Sequence, residues 1–254
     1  RFNTDDGGLI LLIRDITRLN RLLTLRQNFV ANVSHELRTP LAVIQGYMET
    51  ITNPEEDSET RFALTDRLVS PLRRMQSLVD DLMLLTRLES TELETNNAPL
   101  EISGMLRSAA TELGDLLHSE SRIKMTVDEK LYIAANESEF HSLCVNLMSN
   151  ALRYSADDQP VEVTCGKNGE KIQLSVRDYG VGIAPEHVER LTERFYRVHM
   201  ADARTRGGTG LGLAIVKHVL RRLHSKLVIE SELGKGSTFS CEFEPHNNRE
   251  ANPL

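Results

Sequence analysis

The stretch "FVANVSHELRTPLAVIQG", residues 29–46, decides the fold of the first part of the chain. Apolar residues recur there at every third or fourth position, a spacing that is typical of an amphipathic helix. Within six positions the same stretch also carries a histidine, two charged residues and a proline. Because Val33 and Leu37 lie on the apolar stripe, His35 between them is predicted to face outward. The pattern therefore indicates a helix with a packing face and a chemically reactive face.

Outward from this stretch, the helical pattern runs from about Thr17 to Ile51 and is followed by a polar loop at residues 52–59. A second apolar stripe then extends from Leu64 to Leu85. The two stripes predict an antiparallel two-helix hairpin. One hairpin leaves much apolar surface uncovered, so we expect a second copy of the chain to complete a dimeric four-helix bundle.

Composition narrows the class of protein. The chain has 254 residues, of which 40% are hydrophobic and 26% charged, and its net charge of −7 disfavours a nucleic-acid-binding protein. Cys144, Cys165 and Cys241 form no CxxC pair, so a reducing, cytoplasmic setting fits better than a zinc ribbon or a disulfide scaffold. The longest apolar run, Leu9 to Ile13, is too short to span a bilayer. Since the chain begins at Arg1 without Met, we interpret it as a fragment of a longer protein.

In the second half of the chain, the pattern of alternating helices and strands predicts an α/β sandwich. Asn168–Gly169, flanked by alternating apolar residues, predicts a β-hairpin. Helices are predicted at about 103–118, 137–155 and 210–224, and strands at about 122–127, 131–135, 161–178 and 226–244. At the other end of the chain, "GGLILLIRDIT" (7–17) predicts one apolar strand. We interpret it as the last strand of an upstream domain, with a disordered tag as the alternative.

Around His35 the sequence places groups suited to nucleophilic attack. Glu36 lies about 100° around the helix and could hydrogen-bond one ring nitrogen, which would leave the other as a nucleophile. Thr39 shares the face of His35, one turn on. Pro40 removes a backbone hydrogen bond and is predicted to bend the helix, as a hinge beside the reactive residue. The alternative to a nucleophile is a solvated surface histidine without a chemical role. A zinc HExxH motif is excluded because Thr39 stands where its second histidine belongs.

Two blocks in the second half suggest what this histidine attacks. In "NLMSNALRYS" (146–155), Asn146 and Asn150 share one helix face, and amide oxygens are suitable ligands for Mg²⁺. In "DYGVGI" (178–183), Asp178 could accept a hydrogen bond from an exocyclic amine. Gly180 and Gly182 allow the backbone to approach other groups closely. Either asparagine alone could be a helix cap or a surface amide.

Two further blocks follow in order. "ERFYRV" (193–198) frames an aromatic pair with Arg194 and Arg197. "RGGTGLGLAIVKHV" (206–219) opens from glycines into an amphipathic helix, whose N-terminal N–H groups could bind phosphate. Neither a P-loop nor a GxGxxG fingerprint is present. Each block alone has a structural explanation, but all four in this order, behind the histidine helix, predict a nucleotide site and a phosphoacceptor.

These motifs resemble the sensor histidine kinases over residues 17–244. "SHELRTPL" is similar to that family's H box, "NLMSNALRYS" to its N box, "DYGVGI" to its G1 box, "ERFYRV" to its F box and "GGTGLGL" to its G2 box. "GIAPEHVERLTERFYRV" resembles the phosphate-regulon branch of the family more specifically. In that branch a PAS domain precedes the kinase core, and residues 7–17 resemble the end of its last strand.

The resemblance implies a domain division and a fold. Expected are a PAS-like remnant at 1–16, a dimerisation and histidine phosphotransfer domain at 17–92, a linker at 93–96, an ATP-binding domain at 97–245 and a disordered tail at 246–254. The fold class is α + α/β: the two-helix hairpin of a dimeric four-helix bundle, followed by an α/β sandwich of the Bergerat (GHKL) type.

The resemblance also implies residue roles. His35 is the expected phosphoacceptor, Glu36 its assisting base, and Thr39 the residue that places a water for dephosphorylation of the partner. Asn150 is the expected Mg²⁺ ligand. Expected nucleotide contacts are Asn146, Arg153, Tyr154, Asp178, Gly180, Gly182, Arg197, Gly208, Gly210, Leu211, Gly212 and Thr238, and residues 184–209 form the expected lid. Many family members have Lys where Arg153 stands. Arg has the same positive charge as Lys but carries it on a wider, planar guanidinium group.

The expected activity is Mg²⁺- and ATP-dependent autophosphorylation of His35, followed by transfer to an aspartate of a response regulator. Expected partners are a second copy of the chain, as a homodimer, and a cognate response regulator with a receiver domain of the phosphate-regulon type, toward which the kinase would also act as a phosphatase. Nucleic acid is not an expected partner, and the full-length protein is expected to be anchored in the bacterial inner membrane. The alternatives are a GHKL-fold ATPase and a catalytically silent dimeric scaffold.

Overall fold

The computed structural model describes residues 2–3, 9–10, 17–53, 55, 57–90, 97–117, 122–156, 158–198 and 208–246. The chain divides into two compact units, Arg1–Leu72 and Arg73–Leu254. Four predicted features lie wholly or largely outside the described residues: the strand at 7–17, the linker at 93–96, the central part of the lid, and the tail. Within the described residues, no helix is long and apolar enough to cross a membrane.

The first unit is mainly helical. A short antiparallel pair joins β1 (Phe2–Asn3) and β2 (Leu9–Ile10), so the predicted single strand has a partner that its pattern did not reveal. Helix α1 (Thr17–Thr52) has 36 residues and continues through Pro40. Helix α2 (Ser58–Arg67) packs against α1 and begins at an Asp57 cap. The Asp57 carboxylate accepts the Thr60 N–H at 2.7 Å, which satisfies one of the unpaired donors at a helix start.

The second predicted helix is interrupted. Helix α2 ends at Arg67, Leu68 forms a turn, and α3 (Val69–Ser90) begins directly afterwards. Pro71 provides the physical reason, because it has no N–H to offer the Arg67 carbonyl and its ring crowds that oxygen. At the end of α2, the Leu68 N–H donates to the Leu64 carbonyl, as in a regular helix, and also to the Thr65 carbonyl, both at 3.2 Å. The apolar stripe continues across this break, which is why the pattern alone predicted one helix.

The second unit contains the α/β fold, with two four-residue elements that were not predicted from the sequence, the strand β3 and the helix α6. Its elements after α3 are β3 (Ala98–Glu101), α4 (Ile102–Leu117), β4 (Ile123–Val127), β5 (Tyr132–Ala135), α5 (Glu137–Tyr154), β6 (Val161–Asn168), β7 (Lys171–Asp178), α6 (Pro185–Val188), α7 (Gly212–Arg222), β8 (Val228–Glu232) and β9 (Gly236–Phe243). The main sheet has the order β4-β6-β7-β9-β8. Only β4 and β6 run parallel, and β3 pairs separately with β5.

The core of this unit lies between the sheet and its helices. Along β7, Ile172, Leu174 and Val176 are buried whereas Lys171 and Arg177 are exposed, the alternation of a sheet with one covered face. Helix α5 packs against α4, α7, β6 and β7 and is the centre of the helical layer. The predicted fold class, a helical region followed by an α/β sandwich, is confirmed.

The three cysteines belong to this core. Cys144, Cys165 and Cys241 are all buried and free. Burial raises the pKa of Cys165 to about 12, and burial also raises the pKa of the other two thiols. Such thiols are protonated at neutral pH and pack as small apolar groups.

Candidate active site

The proposed phosphoacceptor lies on α1 in the first unit. His35 is exposed, while Val33 and Leu37 beside it are half-buried, as the apolar stripe requires. Glu36 is half-buried on the adjacent face. Thr39 is exposed, and its hydroxyl donates to the His35 carbonyl at 3.3 Å. The structure therefore presents His35 and Thr39 together on one solvent-facing side of α1.

The candidate nucleotide site in the second unit includes the buried carboxylate of Asp178. Asp178 lies at the end of β7 and is only 3% exposed. Its Oδ1 accepts the Gly180 N–H at 2.9 Å, and Ser237 on β9 donates to it as well. Burial raises the pKa of Asp178, while these hydrogen bonds act in the opposite direction. A carboxylate held in this way is a strong acceptor for an amine of matching shape.

Thr238, which the resemblance placed at the adenine end, does not reach this carboxylate. It pairs across the sheet with the exposed residue Arg177, whereas Ser237 pairs directly with Asp178. Because successive side chains in a strand point to opposite faces, Thr238 lies on the other side of β9. The face of β9 that carries Asp178's partner therefore presents Ser237, and the expected role of Thr238 at the adenine end stays a prediction.

The glycines of the "DYGVGI" block are required by backbone packing. A Cβ on Gly180 would lie 2.0 Å from the Tyr154 carbonyl oxygen. Gly182 has a φ of 69°, and a Cβ there would lie 2.0 Å from the Glu232 carbonyl oxygen. These contacts bring the end of α5, the loop after β7 and the end of β8 together around Asp178. Their packing explains the two glycines without a nucleotide contact.

The two asparagines of α5 have different surroundings. The Asn146 side-chain NH₂ donates to the Ser142 carbonyl at 2.9 Å, and its Oδ1 would lie 2.4 Å from a Cβ on Gly212. Asn146 therefore fixes the packing of α5 against the start of α7. Asn150, one turn further along α5, is half-buried and retains the chemistry of a hard-cation ligand.

The donor set at Asn150 fits a magnesium ion that arrives with its nucleotide. Among the described residues, no cluster of three or more His, Cys, Asp or Glu side chains could hold a metal by itself. A single amide oxygen must then be supplemented by phosphates and water, which is the coordination that Mg²⁺ prefers.

Two arginines converge on the glycine-rich loop before α7. Arg197 donates to the Gly208 carbonyl at 3.0 Å, and a Cβ on Gly208 would lie 2.5 Å from Arg153 Nη1. Gly208 has a φ of 94°, a conformation that favours glycine. Burial lowers the pKa of Arg153, and the nearby charges of Arg197 and Arg74 lower it further. Guanidinium groups in this number favour an anion at the loop.

The loop ends at the start of α7. The Leu211 N–H donates to the Thr209 hydroxyl at 3.2 Å, and Leu211 is buried where the helix begins. The Phe195 N–H donates to the Gly210 carbonyl at 2.8 Å, which ties the F-box segment to the loop. The N–H groups at the N-terminus of this 11-residue helix add a partial positive charge. We refer to Gly208–Gly212 as the phosphate loop.

Sequence reasoning missed two acidic residues of α3. Thr209 donates to Asp81 Oδ2 at 2.8 Å, although the two residues are 128 positions apart. Glu89 forms an ion pair with Arg194 of the F box and lies 3.4 Å from His218 of α7. Burial lowers the pKa of His218, and neighbouring cations lower it further. Both acids lie between the apolar positions of α3 and gave no local signal.

Comparison with known proteins agrees with this geometry. Residues 25–91 match the family described as "His Kinase A (phospho-acceptor) domain". Residues 135–247 match the family described as "Histidine kinase-, DNA gyrase B-, and HSP90-like ATPase".

Curated relatives extend the similarity along most of the chain. The phosphate regulon sensor protein PhoR of Pseudomonas aeruginosa is 42% identical over 95% of this chain and 55% of the relative. PhoR of Haemophilus influenzae is 36% identical over 91% of this chain and 54% of the relative. Sensor protein SrrB of Staphylococcus aureus is 33% identical over 92% of this chain and 40% of the relative. The chain thus spans about half the length of these two PhoR relatives.

Solved structures show the same architecture. Full-length ShkA, crystallised in complex with AMPPNP, superposes with a TM-score of 0.63 and 30% identity over 89% of this chain and 47% of that one. The Acinetobacter baumannii histidine kinase AdeS shares the fold with a TM-score of 0.63 at 22% identity, over 84% of this chain and 98% of that one. With a phospho-acceptor domain followed by an ATPase domain, and with PhoR-like sequence along 95% of its length, the chain belongs to the sensor histidine kinases.

Proposed function

We propose that this chain is the kinase core of a two-component sensor that autophosphorylates on His35 with Mg·ATP and passes the phosphoryl group to an aspartate of a response regulator. The observation that carries the proposal is the convergence of separate sequence blocks in the second unit. Asp178 supplies a buried acceptor, Arg153 and Arg197 meet at Gly208, and the phosphate loop opens into α7. An exposed histidine on α1 supplies the nucleophile.

Each group has a defined task in this proposal. Asp178, with Ser237 beside it, accepts the adenine amino group, and Tyr154 at the end of α5 borders the base. Arg153, Arg197 and the N–H groups of Leu211 and Gly212 bind the phosphates. Asn150 would hold Mg²⁺, which would neutralise charge on the phosphates. His35 attacks the γ-phosphorus in line, and the ADP oxygen leaves as the N–P bond forms.

The test is incubation with γ-labelled ATP and Mg²⁺. Label on the protein that is acid-labile and alkali-stable identifies a phosphohistidine, and His35→Gln should abolish it while leaving ATP binding by calorimetry intact. A GHKL-fold ATPase would release inorganic phosphate without labelling, and a silent scaffold would do neither. Loss of nucleotide affinity in His35→Gln would instead overturn the assignment of the two functions to separate units.

We also propose that the partner regulator belongs to a phosphate-responsive system. The support is the 42% identity to PhoR of Pseudomonas aeruginosa, along nearly the whole chain. Phosphorylated protein should transfer its label faster to the receiver domain of the phosphate-regulon regulator than to receivers from unrelated systems. Equal transfer rates to all receivers would refute this specificity while leaving the kinase activity untouched.

A further inference from the structure

Helix α3 contacts the ATP-binding fold through two acids on one face. Asp81 and Glu89 are eight positions apart, which is about two helical turns or roughly 12 Å along the axis. Asp81 accepts a hydrogen bond from Thr209 in the phosphate loop, and Glu89 pairs with Arg194 in the F box. One helix face therefore holds both the phosphate loop and the F-box segment.

The Asp81 contact occupies groups that phosphates need. The Thr209 hydroxyl donates to Asp81 at 2.8 Å and simultaneously accepts the Leu211 N–H at 3.2 Å. Helix-start N–H groups and loop hydroxyls are the donors that bind phosphate oxygens. In this arrangement the hydroxyl is committed to a carboxylate, and a backbone donor of the loop is committed to the hydroxyl.

The Asp81 carboxylate also competes with phosphates for the positive charge of Arg153. Asp81 is half-buried, and burial raises its pKa, while the Thr209 hydrogen bond and the Arg153 charge lower it. Arg153 lies against Gly208 of the phosphate loop. An ionised Asp81 thus attracts a guanidinium that would otherwise face a phosphate, and it repels the phosphates themselves.

We infer that Asp81 is a positioning residue that holds the phosphate loop, through Thr209, in a nucleotide-free arrangement, so that ATP must displace the α3 carboxylate to bind. The inference rests on the proposed ATP site. According to this inference, the position of α3 controls the affinity for nucleotide. Any movement that withdraws Asp81 from the loop would make the Thr209 hydroxyl and the Arg153 guanidinium available to phosphate. It also makes the coupling reciprocal, since bound nucleotide must weaken the contact between α3 and the loop.

The chain offers a matched control for the test. Asp80 is the neighbouring residue, is exposed, and accepts a hydrogen bond from Gln76 on its own helix at 3.0 Å. Asp81→Asn and Asp80→Asn remove the same charge from adjacent positions. Only Asp81→Asn weakens the contact with the phosphate loop. Thermal unfolding of both variants, read by circular dichroism, establishes that each is folded before binding is measured.

The decisive measurement is titration of each protein with Mg·AMPPNP by calorimetry. Release of one charge-assisted hydrogen bond predicts about tenfold tighter binding to Asp81→Asn than to wild type or Asp80→Asn. In γ-labelled ATP assays, Asp81→Asn should lower the KM for ATP without changing the maximal labelling rate, because saturating ATP has already displaced the carboxylate. Asp81→Glu, which retains the charge, should move the affinity back toward that of wild type.

Coupling through Thr209 is tested with a double-mutant cycle. If Asp81 acts through this hydroxyl, Asp81→Asn should tighten AMPPNP binding in wild type but have little further effect in Thr209→Ala. Equal affinities for Asp81→Asn and Asp80→Asn, or weaker binding to Asp81→Asn, would overturn the inference while leaving the proposed kinase intact. If wild type binds no AMPPNP at all, the proposed function fails and the inference falls with it.

Discussion

The proposed nucleotide site includes one buried carboxylate, Asp178, whose burial disfavours its ionised form. Asp178 is almost fully enclosed, and its raised pKa shows that folding makes the ionised form less favourable than in the unfolded chain. The folded state therefore binds this proton more tightly than the unfolded state does. The cost of ionised Asp178 is absent below the unfolded pKa and reaches its full value above the folded pKa.

Substituting Asp178 should separate binding from stability. In Asp178→Asn the charge is lost, so we expect AMPPNP affinity to fall at least about tenfold, a loss on the scale of one charged hydrogen bond. Without nucleotide, the melting temperature at pH 7 should not decrease, because the desolvation cost of the carboxylate disappears. Calorimetry and thermal unfolding measure the two effects, with exposed Asp158→Asn as the control. A lower melting temperature together with weak binding would mean that Asp178 is mainly structural.

Thr39 should matter for dephosphorylation more than for phosphorylation. Its hydroxyl lies on the His35 side of α1 and donates to the His35 carbonyl, so it can turn toward a water beside that residue. We expect Thr39→Ala to slow the decay of phosphorylated regulator and largely spare labelling of His35. Folding should be little affected, since changes at exposed positions usually alter stability by less than about 0.5 kcal/mol. Equal losses in both rates would indicate a role in helix shape.

Residues were placed correctly from the sequence where their surroundings depend on neighbours in the chain. Motif spacing alone predicted that Gly180 lies beside Asp178, and helical periodicity alone predicted that His35 is exposed. The prediction did not include Ser237, which pairs with Asp178 across the sheet, because strand alternation around Gly236 could not be phased from the sequence. It missed Asp81 altogether, since its partner Thr209 is distant in sequence and an acid between apolar helix positions is typical of a solvated face.

At the scale of elements, glycines have opposite roles in the two units. Gly46 lies inside α1, six residues before its end, and a Cβ there would meet no atom within 4 Å. Gly180 lies against the Tyr154 backbone, where a Cβ has no room. One glycine therefore weakens its element, while the other is needed for two elements to meet.

Alanine at these positions should have opposite effects on stability. Gly46→Ala is expected to stabilise α1 by about 0.5–1 kcal/mol, because it reduces the backbone entropy lost on helix formation. Gly180→Ala should destabilise the second unit by on the order of 3 kcal/mol, since the Tyr154 backbone has to move. Urea unfolding followed by circular dichroism measures both values. Stabilisation by Gly180→Ala would disprove the close contact between α5 and the loop after β7.

The break between α2 and α3 shows that the spacing of apolar residues carries no information about backbone hydrogen bonding. Apolar spacing continues from Leu64 through Leu68 to Leu72, so a pattern of buried positions gives one helix. Backbone hydrogen bonding is a separate requirement, and Pro71 cannot meet it. Proline position alone would not have located this turn either, because α1 continues through Pro40.

At the scale of the whole molecule, the helical region leaves apolar side chains in water. Val30, Leu41 and Met48 on α1 are 44–57% exposed in the single chain. Contiguous exposed apolar residues of this kind mark association surfaces. This agrees with the four-helix bundle that we propose for the homodimer.

A charge on this stripe should weaken the dimer without affecting the nucleotide site. Met48→Glu places a carboxylate among apolar side chains, so we expect a shift toward monomer in sedimentation equilibrium. Ala42→Glu adds the same charge at an exposed position on another face of α1 and should leave the dimer unchanged. AMPPNP affinity should be equal in both variants. An unchanged dimer in Met48→Glu would exclude this stripe from the interface.

The attachment of α3 to the phosphate loop bears on inhibitor discovery. A screen that uses only residues 97–245, the predicted ATP-binding domain, would omit Asp81 and Glu89 and so present Thr209 and Arg194 without their acidic partners. In that fragment the Thr209 hydroxyl would be available to compounds, and the charge of Arg194 would no longer be balanced by Glu89. Anionic scaffolds would consequently be favoured on the fragment and lose potency on the longer protein, whereas compounds that contact only Asp178 and its neighbours should keep their ranking.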